Sequence, residues 1–354
     1  MSGEPVTPAG PASRLARLDG LRGVAAAVVV VYHAQLMFVP EAFAGLSGPL
    51  GWVHGWGWTA VDLFFVISGA IFAHAYGAPG QLASGRALAG FGIARFARLY
   101  PLHLVMLLAC AFLFAGKPGS DASAFIAHLF MLQAFAAPFA DTFDGPSWSL
   151  TIECLCYALF ACAAHFGPRV QRVVMFGAVL GGAGWLALYG LPGGPWDSGL
   201  VARGLLGFFM GQAVWQRRER LERLPWPVLA TVLGLGLGLA LAGGPWSPQL
   251  ALGLLAWPAA LLLALRLPLL ESRAALWLGS RSYAIYLIHM PVIEFAAKRF
   301  GPFAGGWASI LAVHLVLALV VGCLADAALR RIELPARAAI RAAWAQRQHR
   351  PAPA

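Results

Sequence analysis

Long apolar runs broken by short polar stretches dominate the chain. Runs near the twenty residues that an α-helix needs to cross about 30 Å of hydrocarbon fall at 21–39, 58–77, 99–116, 147–166, 172–190, 199–215, 227–243, 248–265, 277–297 and 304–328. These ten runs predict an all-α, polytopic bundle of transmembrane helices. A further apolar stretch, Ala124 to Phe139, is too short to cross and is expected to be interfacial or re-entrant. The polar, Pro-rich residues 1–16 form a tail, and the first span is expected to remain as an uncleaved anchor. Residues 17–335 then form one membrane domain, followed by a basic tail, 336–354, expected to be a surface helix.

Polar residues inside apolar runs are the informative exceptions, because an ionisable group in hydrocarbon needs a reason to be there. The first run carries Arg17-Leu18-Asp19-Gly20-Leu21-Arg22-Gly23 at its mouth and His33 deep inside. Eleven residues is close to three helical turns, so Arg22 and His33 share a helix face roughly 16 Å apart. Asp62 opens the second run and is either a solvated helix-start carboxylate or the partner of Arg203. In the fourth run, which begins Trp148-Ser149-Leu150, Glu153 lies about 9 Å inside the outer end. Its depth differs from that of His33 by about one turn, so the two could meet. His289 in the ninth run reaches a similar depth; a carbonyl freed near Pro291 would satisfy it as well as a catalytic part would. Gly207-x-x-x-Gly211 and Gly234-x-x-x-Gly238 are expected to be helix-packing seams.

Composition and charge sharpen this picture. The 354 residues are 60% hydrophobic and 11% charged, which excludes a water-soluble domain. The formal net charge of +10 raises the question of nucleic acid, but its placement answers it. With the N-terminus inside, Arg14, Arg17, Arg22, Arg86, Arg95, Arg98, Arg217, Arg218, Arg266 and the arginines from Arg330 onward face the cytoplasm, and the outer loops carry only Lys117, Lys298 and Arg299. That is the positive-inside pattern, with both termini cytoplasmic and no nucleic-acid partner implied. Five cysteines without a C-x-x-C pair suggest neither disulfides nor a metal site.

Six blocks in order resemble the membrane acyltransferase 3 family. They are Arg17 to Gly23 with His33; Asp62 to Gly69, which includes Ser68; Arg95-x-x-Arg98 with Tyr100-Pro101; Trp148-Ser149-Leu150 with Glu153; Ser282-Tyr283 through Tyr286 and His289 to Pro291; and Arg331-Ile332-Glu333-Leu334-Pro335. The resemblance implies a bacterial inner-membrane O-acyltransferase of ten helices, without the outer esterase-like domain that some members append. Such an enzyme takes an acyl group, commonly acetyl, from cytoplasmic acyl-coenzyme A as a donor substrate, with no tightly bound cofactor. Its acceptor would be a hydroxyl of a glycan, a lipid-linked glycan or a glycoside.

The same resemblance makes Arg22 and His33 the essential pair and Glu153 a third catalytic candidate. Arg95 and Arg98 are expected to serve the donor, and Asp19, Asp62, Ser68, Trp148, Ser149, Arg203, Ser282, Tyr283, Tyr286 and His289 to line the substrates. Arginine forks suit the phosphates of coenzyme A, and a buried imidazole suits removal of a hydroxyl proton. Acyl-histidine chemistry is an alternative to general-base chemistry. A transporter or flippase with a buried proton path is the rival class.

Overall fold

The computed structural model describes residues 11–38, 48–301 and 307–348, and among them every regular element is helical. In chain order these are α1 (Pro11–Phe38), α2 (Gly48–Trp56), α3 (Ala60–Tyr76), α4 (Gly85–Leu113), α5 (Ala122–Leu129), α6 (Trp148–His165), α7 (Pro168–Tyr189), α8 (Leu200–Gln216), α9 (Trp226–Leu241), α10 (Pro248–Ala264), α11 (Arg273–Phe300), α12 (Trp307–Ala328) and α13 (Leu334–Gln348). In its described residues, each of the ten apolar runs falls mainly on a helix. By length and composition alone, six helical segments among the described residues qualify as spans, and α9 and α10 are shorter apolar helices. The stretch from Ala124 to Phe139 is the eight-residue α5 followed by two 3-10 turns, too short to cross.

Local chemistry explains several boundaries. Ser84 caps α4 by accepting from the Ala87 amide at 3.1 Å, and Asp121 caps α5 by accepting from the Ala124 amide at 2.9 Å. Two π turns interrupt otherwise regular helix, Leu252–Ala256 and Leu329–Glu333. Each lies just ahead of a proline, Pro258 and Pro335, whose ring collides with the carbonyl four residues back and whose nitrogen carries no proton. Widening the preceding turn relieves that clash.

The chain divides into two compact units. The first comprises Met1–Ala27, Val61–Ala75 and Ala178–Ser282; the second comprises Val28–Ala60, Tyr76–Gly177 and Tyr283–Ala354. In the first, α3 and α8 run parallel and touch backbone to backbone. A Cβ on Gly211 would stand 1.9 Å from the Val66 carbonyl oxygen, one on Gly69 would stand 1.7 Å from that of Phe208, and Gly207 faces Asp62 and Phe65. The Gly207-x-x-x-Gly211 seam is thus a packing device. Gly234 and Gly238, expected to form a second seam, meet nothing within 4 Å. The packing glycine of α9 is Gly236, half a turn round the helix, where a Cβ would lie 2.6 Å from the Ala256 amide in the first π turn. Identical spacing gives no sign of which face meets a neighbour.

The second unit is built around Ala34, Phe38, Ile293, Ile310 and Leu317 from α1, α11 and α12. A second cluster of Leu107, Cys110, Phe114, Ala124 and Phe143 packs α4 against α5. Here α13 lies along the first half of α4 with no side chain of its own buried, a surface helix docked on that unit.

Candidate active site

The second unit places two histidines side by side. Nε2 of His289 lies 3.2 Å from Nδ1 of His33, with ring centroids 5.0 Å apart. Each Nδ1 also faces a carbonyl one turn back in its own helix: His33 that of Val29 at 3.0 Å, His289 that of Ile285 at 3.2 Å. Carbonyls only accept, so for neutral rings these neighbours assign the proton of each imidazole to Nδ1. Nε2 of His289 then holds a lone pair and accepts from His33, whose Nδ1–H is shared between Val29 and His289. The Nε2 lone pair of His33 is left with no partner among the described residues. His33 is half-buried, whereas His289 is fully buried. One ring is reachable and the other holds it in place.

From His289 the polar line continues along α11. The Tyr286 ring lies 5.8 Å from that of His289, and its hydroxyl donates to the Pro146 carbonyl at 2.7 Å. Ser149, in the first turn of α6, donates to the Tyr286 hydroxyl at 3.0 Å. Trp148 is buried beside it at the start of the same helix. Four of the expected residues, His33, His289, Tyr286 and Ser149, therefore form one connected group.

Glu153 does not join that group. It accepts from the Tyr157 hydroxyl one turn further along α6, and no hydrogen bond or ion pair links it to His33, whose polar neighbour is His289. Matching depth alone could not fix which way Glu153 points round its helix. The carbonyl that His289 faces is not one freed by Pro291 but that of Ile285, four residues back in regular helix.

The two α4 arginines sit against aromatic faces and a carboxylate. Arg95 donates to the Tyr76 hydroxyl at 3.4 Å, and its guanidinium carbon lies 5.8 Å from the centroids of Tyr76 and Phe91 and 6.0 Å from that of Tyr157. Arg98 pairs with Glu333 of the second π turn and lies 5.1 Å over the Tyr283 ring, whose hydroxyl donates to the Leu99 carbonyl. Ring faces fix guanidinium planes without neutralising them. Sequence reading missed Tyr76 and Tyr157 as partners of these groups. The four-residue spacing of Glu153 and Tyr157 was the available signal.

The remaining expected residues lie in the first unit. Asp62 and Arg203 form a fully buried pair, Nε to Oδ1 2.9 Å, and Arg203 also donates to the Trp196 carbonyl, which settles the alternatives for Asp62 in favour of the pair. Ser68 precedes Gly69 in the α3 seam. Asp19 and Arg22 approach at 3.8 Å, a long contact between part-exposed side chains. Ser282 is buried, its hydroxyl without a hydrogen-bond partner among the described residues. No group of three or more potential metal ligands occurs among the described residues.

The family model described as an acyltransferase domain matches residues 15–326. An acyltransferase of Streptomyces mycarofaciens is 28% identical over 87% of this chain and 87% of its own length. A protein of Komagataeibacter xylinus provisionally named a membrane-bound transacylase is 28% identical over 88% of this chain and 81% of its own length. A Bacillus subtilis protein provisionally named a peptidoglycan O-acetyltransferase is 26% identical over 90% of this chain, which spans 54% of that protein. No solved structure matches the chain.

Proposed function

Since the chain belongs to the acyltransferase 3 family, we propose that it is a membrane O-acyltransferase that moves an acyl group, acetyl in the simplest case, from acyl-coenzyme A to a carbohydrate hydroxyl, with His33 as general base. The observation that carries the mechanism is the free Nε2 lone pair of His33, fixed by Val29 and His289. The hydroxyl oxygen attacks the thioester carbonyl while Nε2 takes its proton. The carbon–sulfur bond then breaks, and the imidazolium returns the proton to the leaving thiolate. An ester and a free thiol result, and the ring is neutral again. Arg95 and Arg98, planes held by ring faces, suit the donor phosphates. A carbohydrate acceptor is supported by the peptidoglycan named for the Bacillus subtilis relative. The transporter reading gives way to family membership.

Ten spans with cytoplasmic termini remain our reading of the topology. Parallel α3 and α8 support it, because an odd number of crossings must separate helices that run the same way, and α4, α6 and α7 make three if α5 does not cross.

The test is purified protein in nanodiscs with acetyl-coenzyme A labelled in its acetyl group and a panel of glycan and glycoside acceptors. Label should pass to an acceptor with release of free thiol, and His33→Ala should abolish both. Transfer at the parental rate by a folded His33→Ala protein would remove His33 as the base. Failure of the parent to use acetyl-coenzyme A with every acceptor, while using another acyl carrier, would remove the donor.

A further inference from the structure

Asp144 stands just ahead of α6, in the unit that holds the histidines, and is 3% exposed. Neither of its carboxyl oxygens has a hydrogen-bond partner among the described residues. The preceding residue, Phe143, takes a left-handed φ of 50°, uncommon for a bulky side chain. Its ring is packed with Leu107, Cys110, Phe114 and Ala124, and Asp144 is buried directly after it. The charges within reach of Asp144 are Lys117 and Glu294. Lys117 lies 3.3 Å from one Glu294 oxygen; Lys298, one turn further along α11, lies 3.1 Å from the other and 4.4 Å over the Phe114 ring. The two lysines bracket Glu294 and leave Asp144 with charge nearby but no donor on it. The Lys298 side chain is 56% exposed, so that wall can swing aside without disturbing the packed cluster.

This group adjoins the histidine pair. Glu294 follows His289 by five residues on α11, about 7.5 Å along the axis. Pro146, two residues after Asp144, accepts from Tyr286 of the same helix at 2.7 Å. In the topology read above, α11 runs outward, which puts Asp144 and its neighbours on the outer side of the histidines. A buried polar atom left without a partner costs free energy, and an apolar residue of the same size would serve the fold better. Contacts within the chain therefore do not account for Asp144. Charged, its carboxyl needs donors on two oxygens; protonated, it needs one donor and one acceptor. Two adjacent hydroxyls of a sugar ring satisfy either form, because each hydroxyl both donates and accepts.

We infer that Asp144, with Lys117 beside it, forms the subsite that holds two adjacent hydroxyls of the carbohydrate acceptor on the outer side of the histidine pair. This rests on the acceptor class proposed above and names residues that select within it. Asp144 binds the diol through both oxygens, and Lys117 donates to a neighbouring sugar oxygen.

Steady-state transfer from acetyl-coenzyme A is measured in nanodiscs with methyl glucoside, methyl galactoside and methyl N-acetylglucosaminide. The acceptor that the parent uses fastest is carried forward with its singly deoxygenated analogues. Asp144→Leu should raise the acceptor KM at least tenfold, leave the donor KM at the parental value, and keep or raise the unfolding midpoint. Asp144→Asn, which still offers one acceptor and one donor, should raise the acceptor KM by less, and Lys117→Met should raise it severalfold. In the parent, removing a held hydroxyl from the acceptor should raise KM about tenfold; Asp144→Leu should treat that analogue and the full acceptor alike. A parental acceptor KM in Asp144→Leu would overturn the subsite. A raised KM with a lower unfolding midpoint and undiminished discrimination among analogues would make Asp144 a structural group and overturn it equally. Should Asp144→Leu not fold, Asp144→Asn decides by the same discrimination. If the parent transfers to none of the three glycosides, the reaction proposed above fails with them; if the parent transfers and Asp144→Leu matches it, only this inference fails.

Discussion

Two polar pairs, one in each unit, differ in what they leave over. Asp62 and Arg203 are opposite charges joined at 2.9 Å, the guanidinium also bound to the Trp196 carbonyl. Charge in an apolar interior is tolerated only when paired, and removing one partner strands the other. His33 and His289 are uncharged rings whose shared proton leaves one lone pair unused. A buried ion pair balances its own charge and suits a fixed helix contact. A histidine pair is incomplete by one acceptor, which makes it suitable for chemistry.

The comparison is tested most severely at His33. Replacement by Ala or Gln should lower acyl transfer by a factor of about 10² to 10⁴, the usual worth of a positioned base, with expression and thermal unfolding unchanged. Gln preserves hydrogen bonding without proton transfer, so a Gln variant with near-parental turnover would show that no base acts there.

Arg203→Met should behave in the opposite way, losing about 3 to 5 kcal/mol of stability by leaving Asp62 unpaired, read as a lower unfolding midpoint in detergent. The double change Asp62→Leu with Arg203→Met should recover most of that loss. A stable single variant with lost activity would move this pair into the chemistry.

His289→Ala should cost about tenfold in kcat, as expected for one hydrogen bond of about 1 to 1.5 kcal/mol, with KM unchanged. His289→Gln offers an amide oxygen where Nε2 stood and should restore most of the rate. The readout that a structural role would not move is the nitrogen spectrum of labelled His33: its proton should lie on Nδ1 in the parent and in the Gln variant, and exchange between nitrogens in the Ala variant. Equal spectra in all three would remove His289 as a positioning residue.

The smallest effect concerns the clamp at the start of α1. Glu271 accepts from Ser13 and pairs with Arg17 at 2.6 Å, and Arg17 also donates to the Leu265 carbonyl at 2.6 Å. The Ser13 hydroxyl, and then Arg17, hold the Glu271 carboxyl below its ordinary 4.5. A lowered folded value means that this contribution is complete above pH 4.5 and disappears as pH falls through the lower value. Unfolding midpoints of the parent and Glu271→Gln should differ slightly near neutrality and converge on acidification; constant separation down to low pH would exclude the clamp.

Helices were legible in the sequence because apolar length is a one-dimensional quantity. The ten runs and the shortness of the 124–139 stretch follow from counting, and opposite charges made the pair between Asp62 and Arg203 one of two open readings, which the structure decides. Direction round a helix axis was not legible. Glu153 turns to Tyr157, Gly236 packs where Gly234 and Gly238 do not, and His33 meets His289, because each outcome depends on how neighbouring helices are rotated, which spacing within one helix leaves undetermined. The basic residues after Arg330 read as a surface helix, but not as one lying on α4, for the same reason: a charged face shows its partner only once the facing helix is placed.

The π turn ahead of Pro335 acts as an angular setting. One extra residue in that turn offsets all of α13 by about 100° from the path that a regular helix would follow. Deleting a single residue within 329–333 would remove no arginine of α13 and alter no net charge if Leu329 or Ile332 were taken. It would nevertheless swing Arg337 and Arg341 to another side of the axis. The phase of the helix is therefore heritable separately from its composition, and relatives that keep these arginines but change the length of that turn should not be assumed to aim them at α4.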